Sequence, residues 1–99
     1  MRFRHANKTL QRMDEDPDFR FGGFSPGLVQ AFLKRMHAIR QAPDENTLRA
    51  IKSYRFERLK GKRRGEYSIR LNDQFRLIFQ IEKEEGGNRL IILNIEDYH

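Results

Sequence analysis

Ninety-nine residues set the scale of one small domain spanning 1–99, whose core is too small to enclose a spacious cavity, so a functional site belongs in a surface groove. An apolar fraction of 37% with eight phenylalanines excludes a disordered chain, although 34% of the residues are charged. The net charge of +6 fits either a polyanionic partner or an ordinary solvated basic face, and the absence of cysteine excludes a disulfide framework and a thiolate metal centre.

The opening Met1-Arg2-Phe3-Arg4-His5 carries no apolar signal core. No stretch approaches the roughly 18 apolar residues of a membrane span, so a cytoplasmic protein is expected. Met1, Phe3 and His5 alternate with Arg2 and Arg4, which predicts a short strand. Asn7 is placed to cap a brief helix through Leu10 and Met13 that Pro17 ends. Phe19, Phe21 and Phe24 follow around Gly22-Gly23 and are expected to pack onto the core.

Ser25-Pro26 is a helix start, serine as N-cap and proline at the first helical position, where its missing N–H costs nothing. Leu28, Val29, Phe32, Leu33, Met36 and Ile39 then form one apolar stripe, with His37 on the polar side, until Pro43 stops the helix. Asp44 can cap a shorter helix containing Leu48 and Ile51.

From Phe56 onward the period becomes two. Phe56–Leu59 reads as an edge segment, followed by the basic loop Lys60-Gly61-Lys62-Arg63-Arg64-Gly65. Residues 55–76 hold eight Lys/Arg against three acids, the densest positive charge in the chain. Odd-numbered apolar residues recur in three strands: Tyr67, Ile69 and Leu71; Phe75, Leu77, Phe79 and Ile81; Ile91, Leu93 and Ile95. The fold class expected is α+β, a small antiparallel twisted sheet with the N-terminal helices packed on one face.

Paired positions must sum to an even number if the core face is to stay apolar. Three-residue hairpins at 72–74 and 86–88 would place Arg70 opposite Arg76 and Arg76 opposite Tyr98 on the open face. Facing arginines repel, so an anion is needed there: Asp73, Glu96 or a bound phosphate. Strict alternation sends Asp97 and His99 to the other face.

The chemistry available is that of metal-free RNA cleavage. It requires a base for the 2′-hydroxyl, an acid for the departing 5′-oxygen and cations for the charge that builds on the phosphate. His99 or Asp97 can handle protons, Tyr98 can donate one or orient the 2′-oxygen, and Arg76 with Lys60 can hold phosphoryl oxygens. Two adjacent ligands at Asp97 and His99 make a weak metal site, so no metal or cofactor is expected. There is no serine elbow and no P-loop.

Phe56-Glu57-Arg58-Leu59-Lys60-Gly61, Gly65-Glu66-Tyr67-Ser68-Ile69-Arg70, Asn72-Asp73-Gln74-Phe75-Arg76-Leu77-Ile78-Phe79 and Ile95-Glu96-Asp97-Tyr98-His99 resemble the HigB branch of the RelE/ParE toxin superfamily. The resemblance implies a RelE-like toxin of a type II toxin–antitoxin system that cuts messenger RNA in the ribosomal A site, leaving a 2′,3′-cyclic phosphate. It also implies a helix-turn-helix (HigA-like) antitoxin as partner, contact with ribosomal RNA, and neither a membrane nor a small-molecule cofactor. The family's catalytic positions fall on Lys60, Arg76, Asp97, Tyr98 and His99. Lys62, Arg63, Arg64, Arg70 and Glu57 are the other expected RNA contacts, Glu57 standing where some members carry a histidine. The competing expectation is a non-cleaving protein of the same fold, either an RNA binder or a ParE-like toxin that blocks DNA gyrase.

Overall fold

A computed structural model of the chain describes residues 1–19 and 22–98, so Phe21 and His99 lie outside the described residues. The chain folds as a four-residue strand β1 (Arg2–His5), three helices α1 (Lys8–Glu15), α2 (Pro26–Gln41) and α3 (Glu45–Arg49), then strands β2 (Glu57–Arg58), β3 (Glu66–Arg70), β4 (Phe75–Glu82) and β5 (Arg89–Asp97). Each helix starts where its sequence signal lies. Asn7 Oδ1 accepts from the backbone N–H of Thr9 (3.0 Å) and Leu10 (3.1 Å), Ser25 Oγ from Leu28 (3.2 Å) and Asp44 Oδ1 from Thr47 (3.1 Å). Ile51 falls outside α3, which closes at Arg49; a 3-10 turn at Lys52–Tyr54 follows.

The sheet order is β1-β5-β4-β3-β2. The last four strands form the expected antiparallel meander, but β1 runs parallel to β5, so the sheet is mixed rather than wholly antiparallel. A parallel neighbour requires a long crossover, which the helices provide.

Leu28, Phe32, Met36 and Ile39 of α2 bury completely or nearly so with Leu10 and Met13 of α1 against Ile69, Leu71, Leu77 and Phe79. Each fully buried side chain of this size contributes about 1.5–3 kcal/mol. Phe19 and Phe24 pack against this core as expected, and His37 is exposed.

The hairpin between β3 and β4 has the expected register, Arg70 opposite Arg76, and its turn is built by Asn72 Oδ1, which accepts from Gln74 N (2.9 Å) and Phe75 N (2.7 Å). The β4–β5 pairing departs from expectation. Glu82 pairs with Arg89, so the connection is longer than three residues, and a bulge at Leu93 shifts the register between Ile78–Asn94 and Phe79–Ile92. The core side of β5 is therefore Leu90, Ile92 and then Ile95, not the row Ile91, Leu93 and Ile95. Asn7 Nδ2 donates to the bulged Leu93 carbonyl at 3.2 Å, so one side chain caps α1 and supports the irregularity.

Beyond the bulge, paired positions again sum to an even number. Arg76 lies opposite Glu96, and Tyr98 lies opposite Gln74, whose carbonyl accepts from its N–H at 2.8 Å. The expected direct pairing of Arg76 with Tyr98 is thus corrected by two residues along β5. A shift of two leaves every side chain on its face.

Candidate active site

The face of the sheet away from the helices carries Glu66, Ser68 and Arg70 on β3, Arg76 and Ile78 on β4, and Glu96 and Asn94 on β5. Arg76 is only 6% exposed, which a guanidinium tolerates only when its donors are satisfied. Its Nε donates to Ser68 Oγ (2.8 Å), and its Nη2 donates to the Arg55 carbonyl and to Ser68 O (3.4 Å), leaving Nη1 without a partner among the described residues. All three acceptors are neutral. Arg55 is the one non-glycine residue with positive φ among the described residues (45°), at the end of the 3-10 turn, and it presents that carbonyl to Arg76.

Tyr98 lies over this arrangement, its ring centre 5.2 Å from the Arg76 guanidinium carbon. Its ring is shared by two clefts. One, of about 170 Å³, is lined by Arg55, Arg70, Asn72, Asp73, Gln74, Arg76 and Tyr98; the other, of about 300 Å³, by Glu57, Arg58, Leu59, Lys60, Arg63 and Tyr98. Three arginines line the first. The second sets a lysine and a carboxylate beside the same phenol.

The wall between β2 and β3 is Lys60-Gly61-Lys62-Arg63-Arg64-Gly65, whose short 3-10 turn spans Gly61–Arg63. Gly61 and Gly65 both have positive φ (72° and 83°), so the loop bends at its two glycines. Leu59 anchors its start, buried on the outer face, with its N–H donating to Glu66 O at 2.9 Å.

A family model described as a RelE-like toxin of the type II toxin–antitoxin system HigB matches residues 2–99. The chain belongs to this family. It is 35% identical over 80 residues to toxin HigB-1 of Vibrio cholerae serotype O1, an alignment covering 81% of this chain and 83% of that protein. A solved YoeB/ParE toxin from Agrobacterium tumefaciens shares the fold, with a TM-score of 0.61 over the full length of both chains at 13% identity. Membership in a type II system implies an antitoxin partner.

In this HigB-like toxin the expected residues divide into three groups. Arg70, Arg76, Tyr98, Lys60, Glu57 and Arg63 line the two clefts. Arg64 lines a third groove with Arg58, Leu59, Lys60 and Gly61, and Lys62 is exposed on the same loop. Asp97 lies opposite Phe75, lines neither cleft and accepts from Gln74 Nε2 at 2.9 Å; His99 is outside the described residues. Among the described residues no group of three or more His, Asp or Glu side chains is arranged to hold a metal ion.

The anion expected between the two facing arginines is found for one of them. Arg70 forms an ion pair with Asp73 and also donates from Nε to Asn72 O at 3.1 Å. Glu96 pairs with Arg63 instead of Arg76. Hydrogen bonding from Arg63 holds the Glu96 carboxyl below its usual pKa despite partial burial.

Sequence reasoning missed Arg55, Ser68 and Arg35. Arg35 donates from Nε to the Arg70 carbonyl at 2.8 Å while its guanidinium stacks 4.2 Å from the Tyr54 ring centre. Ser68 was reachable, because the parity that put Arg70 and Arg76 on the open face puts Ser68 there too. Nothing in the sequence near Arg55 marks a backbone carbonyl as a partner of Arg76.

Proposed function

We propose that this toxin is a metal-independent endoribonuclease that cleaves messenger RNA on the ribosome and so stops translation. The observation that carries it is the Tyr98 ring standing between two cationic clefts, directly over a buried arginine that has only neutral partners. A phosphodiester entering the first cleft meets Arg76, which has no carboxylate partner among the described residues, together with Arg55 and Arg70, the phosphate displacing Asp73 from Arg70 as charge develops on the phosphoryl oxygens. The 2′-oxygen attacks the adjacent phosphorus, the bond to the 5′-oxygen breaks, and the products are a 2′,3′-cyclic phosphate and a 5′-hydroxyl.

Two protons move in that step. The 2′-hydroxyl loses one and the departing 5′-oxygen gains one. The Tyr98 phenol orients the 2′-oxygen or supplies a proton. Lys60, which lines the second cleft with Tyr98, stabilises the leaving oxygen, with Glu57 in the same cleft as a proton acceptor. Asp97 and His99, the last acid and imidazole of the sequence, are the remaining candidates for proton transfer, with Asp97 lining neither cleft. Lys62 and Arg64 contribute sequence-independent attraction for the nucleic-acid backbone.

The test is to add the purified protein to a translation reaction and map the 5′ ends of the message. Cuts should appear in translated regions, be missing from the same RNA without ribosomes, and leave cyclic phosphate termini. Intact messages in cells whose growth has stopped with a DNA-damage response would replace this function with the non-cleaving one.

A further inference from the structure

Glu96 and Arg76 are register partners on neighbouring strands and lie on the same face of the sheet. Side chains so opposed have Cβ atoms about 4.5–5.5 Å apart, within easy reach for an acid and a guanidinium. They nevertheless do not pair. Glu96 receives Arg63 Nη1 on Oε1 and Arg63 Nη2 on Oε2, each at 2.6 Å, a bidentate grip. Arg63 also donates to Glu66 Oε1 from Nε (3.1 Å) and Nη2 (2.7 Å). One guanidinium from the loop is thus held by carboxylates of β3 and β5, while Arg76 turns toward Ser68 and the Arg55 carbonyl.

We propose that Arg63 is a positioning residue: by occupying Glu96 it keeps Arg76 unneutralised and ready for the RNA phosphate. This rests on the nuclease function above. Arg63 is matched by two acids, so the trio as a whole is negative and attracts no phosphate by itself. Removing Arg63 frees Glu96 opposite Arg76, the guanidinium that has no carboxylate partner among the described residues. An ion pair formed there cancels the charge the phosphate binds, and RNA must then displace a carboxylate. Glu96 acts only as the group to be kept away.

The experiment compares the full chain with Arg63→Gln, Glu96→Gln and the double variant. Cleavage is measured in the translation reaction, and binding is measured by fluorescence anisotropy with a short RNA made uncleavable by 2′-deoxy substitution. Arg63→Gln should lower both by about tenfold, a size typical of losing one charged contact. Glu96→Gln alone, and Glu96→Gln added to Arg63→Gln, should both stay within about threefold of the parent, the non-additivity expected of coupled neighbours.

Recovery in the double variant is the decisive result, because that protein lacks the same bridge and would be no more stable than the single variant. A double variant as impaired as Arg63→Gln would overturn the proposal and make Arg63 either an RNA contact or a loop anchor. An Arg63→Gln protein that binds and cuts like the parent would overturn it too. If the parent binds the RNA but cuts nothing, the nuclease function fails while the anisotropy series still decides the role of Arg63.

Discussion

The guanidinium carbon of Arg76 lies 5.2 Å from the centre of the Tyr98 ring, although the two residues are not register partners on β4 and β5. They meet diagonally, with Tyr98 one pleat beyond Glu96 on the same face. This contact joins a cation-lined cleft to one that holds Lys60 and Glu57, which makes the Tyr98 hydroxyl the most direct probe of the site.

Tyr98→Phe keeps the ring over Arg76 and removes only a hydroxyl from a residue that is 43% exposed. Thermal unfolding should be unchanged. Cleavage should fall by about 10²-fold or more if the phenol orients or transfers a proton. A primer-extension assay on translated message reads the loss directly, and undiminished cutting would take Tyr98 out of the mechanism.

Arg55→Gly separates a backbone role from a side-chain role. The left-handed conformation at Arg55 (φ 45°, ψ 54°) suits glycine, so the carbonyl that accepts from Arg76 should stay in place. Relief of the side-chain clash should leave stability within about 1 kcal/mol of the parent or raise it. RNA binding should weaken by about tenfold if the Arg55 side chain contacts the phosphate, and should stay at the parent value if the residue serves only through its carbonyl. Urea unfolding and anisotropy on the same sample check both halves.

Asn7→Ala should cost about 1–2 kcal/mol, at the upper end for an N-cap, since Asn7 also supports the carbonyl of the bulged Leu93. Chemical denaturation measures the loss. Hydrogen exchange should show it concentrated in α1 and in β5 around the bulge.

Acid should unfold the protein through two carboxylates. Burial pushes Asp14 upward, but the hydrogen bonds from His5 Nε2 (2.9 Å) and Arg40 Nη1 (2.9 Å) more than offset it, so its carboxyl sits below its ordinary value of 3.8; Glu96 sits below 4.5 through Arg63. A depressed folded-state pKa contributes stability that is complete above the unfolded value and is lost as pH falls through the folded one. Stability attributable to these groups should therefore be flat near neutrality and decline below about pH 4.5. Urea midpoints from pH 3 to 7 should show that decline, and Asp14→Asn should flatten it while costing about 1–3 kcal/mol at neutral pH, because His5 and Arg40 lose a buried acceptor.

Helix starts, the core stripe of α2 and the register of the first hairpin follow from local chemistry: a capping oxygen, a three-to-four spacing and an asparagine-built turn act within a few residues of themselves. The second hairpin is different. Leu90-Ile91-Ile92-Leu93 is apolar at every position because β5 is covered on both faces, with Leu90 and Ile92 in the main core and Ile91 buried on the other side. A run without alternation fixes no parity, so the bulge at Leu93 left no trace in the pattern.

By itself, the sequence determined that Arg70, Arg76 and Tyr98 would share the open face of a sheet, because a period of two assigns faces even when the register slips by two. Only the tertiary structure decided which charges neutralise one another. Arg63 was one of three adjacent loop cations until folding carried it onto Glu66 and Glu96, and Arg76 was one of many arginines until Ser68 and the Arg55 carbonyl held it beneath Tyr98. Ion pairing depends on distances of a few ångströms between residues up to 33 positions apart, and no local pattern along the chain encodes that.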